Sequence, residues 1–503
     1  MKQFFQKQSV GVRIIVLLVL SGIGFLVMGY HPGAEDDAFY LTAVKADLNP
    51  ALFPHDSDFF KLQVKETVFD TWMAAFVRGT GISVSWAELL WQFLSLFLIV
   101  LACWSIVSQL FQEAAARWAS VALVTAMFTL PVAGTALYIV DQYMHPRNLA
   151  TALILIGVSR IMAGKSWQAV PLAGMAFLLH PLMSAFGISF CCVLALTLHD
   201  PLRLRHRSLR GHLAHDAATP VAALIPFGWI FRPPQQDWLA AIQTRHLYHL
   251  YEWTWYEWLG AIGPLVLFWL VARVARTRGE VKLSRFAMAV LIYGIFQQVV
   301  AMVILSPMAP IGFTTLEPMR YLHLVYIFLV LIGGAYLGKY ILKARAWRWA
   351  VFFLAAYTSM FVVQRQLFAG TAHIELPGIR SANPWLQAFD WIRLNTPTDA
   401  YFAVDPNYMA APGEDYHSFR AFAERSVLAD GDKDTAVVTK VPVLGPEWHR
   451  QLAAQAGWPK FKVANFERLK SQFGVSWVLV SYPPPAGLRC AWHNDVLAVC
   501  RIP

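Results

Sequence analysis

Long apolar stretches recur along this chain from Val12 to about Val363, and they decide what it can fold into. A helix of about 20 apolar residues matches the thickness of the hydrocarbon core of a bilayer. The chain of 503 residues is 57% hydrophobic and only 14% charged, whereas about a quarter of the residues of a soluble protein are charged. The sequence therefore predicts a polytopic membrane protein.

The expected fold class is mainly α: a transmembrane helical bundle with a C-terminal extracytoplasmic α/β domain. We predict about eleven spans, at residues 12–30, 84–109, 117–138, 148–163, 167–180, 182–198, 217–231, 258–275, 286–306, 320–338 and 347–364. The fifth and sixth spans are short and could form one bent hairpin around His180 and Pro181.

Basic residues predict the orientation, because short cytoplasmic connections carry an excess of Lys and Arg. The N-terminus is basic at Lys2, Lys7 and Arg13, and its first span is long enough to remain as an anchor. The later basic connections fall on the same side under one threading: 160–165, 203–210, 273–285 and 339–348. The net charge of +10 thus reflects topology rather than nucleic-acid binding. We expect a multi-pass membrane protein with a cytoplasmic N-terminus.

Two domains follow from this threading: a transmembrane domain over 1–364, whose large first outer loop spans 31–83 with interfacial helices, and a periplasmic domain over 365–503. The second part has the pattern of an α/β domain, with strands expected at 401–404 and 475–481. Its last residues predict a hairpin that places Cys490 opposite Cys500. An extracytoplasmic compartment permits a disulfide between them.

An acidic triplet, Glu35, Asp36 and Asp37, follows directly on the first span. Carboxylates are costly to hold near lipid, so they either cap a helix or perform chemistry. Asp36 or Asp37 could cap a helix that starts at Ala38, which does not exclude catalysis. Because adjacent residues point about 100° apart on a helix, at most one of this pair would face a given substrate.

Further polar clusters fall on the same predicted face. They contain Asp141, His145 and Arg147 after span three, Arg245 after span seven, Glu317 and Arg320 at the mouth of span ten, and His180. The Trp and Tyr residues of 251–258 fit either an aromatic belt at the headgroups or sugar stacking. His180 fits either a polar residue at a kink or a ligand-binding group. Arg320 needs an anionic partner, either Glu317 or a lipid phosphate.

The layout resembles the GT-C class of integral membrane glycosyltransferases. The resemblance is carried by an acidic first outer loop at 35–37, many spans, and an extracytoplasmic tail. Three tail segments resemble those of uncharacterised bacterial relatives: WIRLNTPTDAYFAV (391–404), FRAFAERSVLADGDK (419–433) and FGVSWVLV (473–480). The chain lacks the Trp-Trp-Asp motif with which oligosaccharyltransferases read an acceptor sequon, so transfer to protein asparagine is not expected.

The resemblance implies transfer of a sugar from a polyprenyl-phosphate donor to an envelope or lipid acceptor, on the outer face of a bacterial inner membrane. Glu35, Asp36 and Asp37 match the acidic motif of the class, so Asp36 or Asp37 is expected to be the base, or a ligand if a divalent ion is used. Ligation by oxygen alone would suit Mg²⁺ or Mn²⁺. Arg320 is the first candidate for the lipid phosphate, followed by Arg147 and Arg245. His145, His180 and Glu317 complete the expected substrate-binding set.

Three other classes of function remain open. A transporter would carry ionisable residues near the midplane of broken spans, whereas here charge concentrates at one face. A lipid-linked polymer ligase or polymerase would share the donor but would not normally have such a tail. A non-catalytic scaffold would use the acids only as caps, and the tail would bind envelope partners.

Overall fold

The computed structural model describes residues 9–198 and 233–503. The predicted span 217–231, the basic connection 203–210, Lys2 and Lys7 lie outside these residues. Within them, seven helical segments are long and apolar enough to cross a membrane: Val10–Met28, Val84–Leu110, Pro181–Leu198, Trp255–Thr277, Val281–Ile304, Ile311–Leu342 and Ala346–Leu367. The prediction of a mainly α, multi-pass membrane protein is confirmed.

Shorter helices complete the bundle: Ala114–Ala126, Pro146–Met162 and Ala169–Leu179. Their ends follow local chemistry. Pro146 occupies the first helical position, where its missing N–H costs nothing, and His145 caps the same helix by accepting a hydrogen bond from the Arg147 amide. The helix that ends at Leu179 is separated by His180 from the next, which begins at Pro181.

The predicted span 117–138 is wrong in its second half. The helix ends at Ala126, and the chain turns through a two-stranded antiparallel hairpin of β1 (Pro131–Val132) and β2 (Leu137–Tyr138). Pro131 cannot continue a helical ladder. Gly134 has a φ of +62°, and a Cβ there would lie 2.4 Å from the Trp253 ring. The turn was not predicted because most of its residues are as apolar as those of a spanning helix.

Residues 31–83 form three helices: Asp37–Leu48, Asp58–Val64 and Phe69–Thr80. Their apolar side chains, among them Phe39, Phe60 and Met73, are buried in the same core as the spanning helices. The three helices of this segment therefore pack against the bundle through a shared apolar core.

The C-terminal part is an α/β domain, as predicted. Its strands are β3 (Tyr401–Ala403), β4 (Ser426–Val427), β5 (Trp477–Ser481), β6 (Arg489–His493) and β7 (Leu497–Arg501). They form one sheet in the order β4-β3-β5-β7-β6, with β3 parallel to β4 and β5, and β7 antiparallel to both of its neighbours. The helices are Pro384–Asn395, Phe419–Ala423, Lys433–Lys440, Gly445–Gln455 and Val463–Phe473. Cys490 and Cys500 lie opposite each other on β6 and β7 and form a disulfide.

Buried polar contacts join this domain to the first loop. Glu375 accepts hydrogen bonds from His31 at 2.8 Å and from His417 at 3.0 Å, and both histidines are fully buried. Burial alone would lower the pKa of His417, but the Glu375 carboxylate raises it to about 9. Burial would raise the pKa of Glu375, but the two histidines lower it to about 2.

The pKa of His417 predicts that the junction weakens in alkali. A group whose pKa rises from 6.5 to about 9 on folding contributes stability that is complete below 6.5 and is lost as the pH rises through about 9. At about 1.4 kcal/mol per pH unit, the loss is about 3 kcal/mol. We expect the melting temperature in detergent to fall between pH 6.5 and 9.5. The Glu375→Gln variant removes the negative charge beside His417, so its melting temperature should change much less with pH. An equal decrease in both proteins would contradict the assignment of this pH dependence to His417.

Candidate functional site

A cavity of about 850 Å³ lies where the bundle, the first loop and the C-terminal domain meet, and we name it the junction cavity. Its charged lining residues are Glu35, Asp36, Asp141, Arg147, Arg245, Glu257, Glu317, Arg320, Asp432, Lys433 and Lys440. Spanning helices supply apolar and aromatic parts of the wall, including Gly260, Tyr326 and Leu367. The cavity thus places charges of both signs beside the ends of spanning helices.

A tight turn divides the acidic triplet. Gly33 has a φ of +70°, and its amide donates to Asp37 Oδ2 at 2.6 Å. This bond turns Asp37 inward, and its side chain does not line the junction cavity. Glu35 has a left-handed φ of +52° and projects, with Asp36, into the cavity. Asp36 occupies the N-cap position of helix Asp37–Leu48, but its side chain makes no capping hydrogen bond.

Lys433 of the C-terminal domain binds both cavity-lining acids. Its Nζ contacts Glu35 Oε2 and lies 3.3 Å from Asp36 Oδ1. Lys433 is 7% exposed, so its ammonium is held within the protein. The two acids therefore share one cation that the other domain supplies.

His145 approaches Asp36 from the protein interior. Its Nδ1 accepts from the Arg147 amide, so the proton of the neutral ring is on Nε2, which lies 3.8 Å from Asp36 Oδ2. The ring of His180 stacks behind it, with centroids 5.5 Å apart. Burial lowers the pKa of His145, and Arg147 lowers it further. Neither histidine lines the cavity, so neither would contact a ligand bound there directly.

Arg147 is held by a bidentate pair with Asp141. Its Nε donates to Oδ2 at 3.0 Å and its Nη2 to Oδ1 at 2.6 Å. The remaining nitrogen, Nη1, is buried and has no hydrogen-bond partner among the described residues. A fixed guanidinium with one free donor suits an anion in the cavity.

Arg320 forms an ion pair with Glu317, with its Nε 2.9 Å from Oε2. Glu317 has further partners: Lys440 Nζ at 3.3 Å and the Tyr248 hydroxyl at 3.4 Å. Glu317 would therefore keep a counter-charge without Arg320. Arg245 is turned toward the C-terminal domain, where it donates to the Asp432 carbonyl at 2.5 Å.

The ionisation of Asp36 follows from these neighbours. Desolvation alone would raise its pKa, but the charges of Lys433, Arg147 and Arg320 outweigh it and hold the pKa well below the usual value. Asp37 differs: desolvation dominates and raises its pKa to about 7. Asp36 is consequently an ionised carboxylate at neutral pH.

The donor set does not fit the expected Mg²⁺ or Mn²⁺ site at Asp36 and Asp37. Mg²⁺ takes six oxygen ligands, of which one or two come from carboxylates that are free to face the ion. Asp37 is turned away from Asp36, and the cavity-lining acids already share an ammonium. Among the described residues, no three His, Cys, Asp or Glu side chains form a group placed to hold a metal.

The structure brings together six of the predicted residues in the junction cavity: Glu35, Asp36, Arg147, Arg245, Glu317 and Arg320. Asp37, His145 and His180 lie behind its wall. Asp141, Lys433 and Lys440 also line the cavity and were not predicted as site residues. Asp141 lies six residues from Arg147 in the same polar cluster, a signal that could have found it. Lys433 is 397 residues from Asp36, and no local pattern marks it.

The fold and cavity define a multi-pass membrane protein with a polar site at the junction with an α/β domain. A family model described as a domain of unknown function, DUF6798, matches residues 383–435, a range that includes Lys433. No curated protein matches this sequence.

Two solved structures from Archaeoglobus fulgidus are similar to the chain. One is the oligosaccharyltransferase AglB with an inhibitory peptide and a dolichol-phosphate, 11% identical over 93% of this chain and 69% of that one, with a TM-score of 0.45. The other is the oligosaccharyltransferase with Zn and sulfate, 11% identical over 93% of this chain and 67% of that one, with a TM-score of 0.44. At these values the similarity defines neither an activity nor a substrate for this chain.

Proposed function

We propose that this protein transfers a sugar from a polyprenyl-phosphate donor to an envelope or lipid acceptor at the outer face of a bacterial inner membrane. One observation carries the proposal. Asp36 lines the same cavity as Arg147 and Arg320, so a carboxylate and two guanidinium groups face one space. Sugar transfer from a lipid phosphate needs a group to take the acceptor proton and positive charge to stabilise the departing phosphate.

The walls suit a lipid-linked phosphate. Gly260 and Tyr326 belong to spanning helices, and Leu367 ends another. A phosphate could therefore meet the cations while its isoprenoid chain remains beside apolar helices. Arg147 offers its unpartnered Nη1, and Arg320 offers a guanidinium whose acid partner, Glu317, also pairs with Lys440.

Asp36 is the group that we assign as the base. With its pKa held low, it is a weak base in the empty cavity, because the best general bases have a pKa near the working pH. A bound phosphate would offset the charges of Arg147 and Arg320, which help to lower this pKa. Donor binding would thus raise the pKa of Asp36 toward its usual value. Asp37 holds the Gly33 turn and positions Asp36.

Arg320→Ala should weaken binding of a polyprenyl phosphate without unfolding the protein. A charge-assisted hydrogen bond contributes about 1.5–3 kcal/mol, so we expect about a 10- to 100-fold loss of affinity. Undecaprenyl phosphate binding can be measured by native mass spectrometry in detergent. Stability should change little, since Glu317 keeps Lys440 and Tyr248.

Arg393→Ala provides a matched control. It removes the arginine of another i, i+3 ion pair, with Asp390, that does not line the junction cavity. We expect unchanged lipid binding in this variant. Wild-type affinity in Arg320→Ala would contradict the assignment of Arg320 to the phosphate.

A further inference from the structure

The contacts of Lys433 resemble those expected of a metal ion. Its ammonium lies within the protein and contacts a carboxylate oxygen of Glu35 and one of Asp36. Both acids are partly exposed to the cavity, with side chains 37% and 31% exposed. Each has an oxygen outside these contacts. The ammonium therefore bridges two acids while leaving part of each free for a ligand.

We propose that Lys433 takes the place of a divalent cation at the acidic motif, so that the C-terminal domain supplies the positive charge that organises Glu35 and Asp36. The proposal deepens the proposed function and rests on it for the role in transfer, whereas the charge replacement itself is independent of any activity. Lys433 is a positioning residue here, because it acts through Asp36.

The helix that carries Lys433 places a lysine at each of its ends in the lining of the cavity. It runs from Lys433 to Lys440, and residues seven apart lie on nearly the same face of an α-helix. Lys440 pairs with Glu317 at 3.3 Å, so one end of this helix face binds acids of the first loop and the other end binds an acid of the bundle.

Hydrogen bonds within the C-terminal domain hold the N-terminal end of this helix. The amides of Lys433 and Asp434 donate to Asp430 Oδ1 at 2.6 and 3.1 Å. Asp434 in turn binds the buried Arg420. The lysine is therefore presented from a rigid support, as a structural metal would be held by its ligands.

Electrostatics agree with this geometry. Burial would lower the pKa of Lys433, but Glu35 and Asp36 raise it well above its usual value, so the ammonium stays charged. A divalent ion at the same two acids would lie beside this charge. An ammonium and a metal ion at this separation repel each other strongly, so metal binding requires displacement of the lysine.

The first arm of the test measures metal binding without any activity. Purified full-length protein is titrated with Mn²⁺, and free Mn²⁺ is followed by electron paramagnetic resonance in the wild type and in Asp36→Asn. We expect no Asp36-dependent binding of Mn²⁺ up to about 1 mM, which is about the dissociation constant of the weakest protein sites for Ca²⁺. Tight wild-type binding that Asp36→Asn abolishes would overturn the proposal, whether or not the protein transfers sugar.

The second arm measures transfer and separates charge from structure. Lys433→Met should lower the rate of sugar transfer at least tenfold, while Lys433→Arg, which retains the charge, should recover most of it. Chelation with EDTA should leave the wild-type rate unchanged. Lys45→Met removes a lysine paired with Glu424 outside the junction cavity and should keep the wild-type rate.

Three results would overturn the role in transfer: a wild-type rate in Lys433→Met, a rate in Lys433→Arg as low as in Lys433→Met, or loss of wild-type activity on chelation. Melting temperatures of all variants identify any loss of fold. If no wild-type transfer is found with any polyprenyl-phosphate sugar, the proposed function fails, and the Mn²⁺ titration still decides the charge replacement.

Discussion

Asp36→Asn should reduce sugar transfer by about 10²- to 10⁴-fold, the usual cost of removing a positioned base. Asn keeps the size of the side chain but cannot accept the acceptor proton. The fold should persist, because Lys433 retains Glu35 and the carboxylate of Asp36 caps no helix. Release of polyprenyl phosphate from labelled polyprenyl-phosphate sugars measures the rate, with the melting temperature measured on the same preparation.

The neighbouring acid is the matched control. Asp37→Asn can still accept the Gly33 amide through its side-chain oxygen, and this side chain does not line the cavity. We expect a loss of less than tenfold. An equal loss in both variants would show that the turn, rather than the Asp36 carboxylate, determines the rate, and full activity in Asp36→Asn would refute its role as the base.

Arg420→Met should be the most destabilising substitution at the junction. Arg420 is 6% exposed, donates to Asp56 at 2.5 Å, and makes two bonds with Asp434 at 2.8 and 3.0 Å. Removal of one partner from a buried charge cluster costs about 3–5 kcal/mol, because the remaining charges stay buried without compensation. We expect a lower unfolding midpoint in denaturant and faster proteolysis between the first loop and the C-terminal domain.

Arg450→Met is the corresponding surface control. Arg450 pairs with Glu447 at 2.8 Å, but its side chain is 57% exposed. Such pairs contribute about 1 kcal/mol or less. Similar losses of stability in the two arginine variants would show that the Asp56–Arg420–Asp434 cluster does not join the domains.

The sequence predicted the bundle well because its signal is local. A long apolar helix is recognisable from consecutive residues, and the ends near Pro146 and Pro181 follow from proline chemistry. The hairpin at 131–138 was missed for the same reason, since its residues are apolar although Pro131 and Gly134 reverse the chain. Span length could not reveal that turn.

The site was predictable only in part. Asp36, Arg147 and Arg320 stand beside span ends, so topology alone brought them toward one side of the bundle. The division of roles between Asp36 and Asp37 depends on the left-handed turn at 33–35. The position of Lys433 in the site depends on how the C-terminal domain packs against the bundle, and such packing leaves no periodic pattern in the sequence.

The most direct test is a cryo-electron microscopy structure in lipid nanodiscs with undecaprenyl phosphate. We expect phosphate density in the junction cavity, within hydrogen-bonding distance of Arg147 Nη1 or the Arg320 guanidinium and on the same side as Asp36. Phosphate bound elsewhere, with the junction cavity empty at saturating lipid, would contradict this expectation.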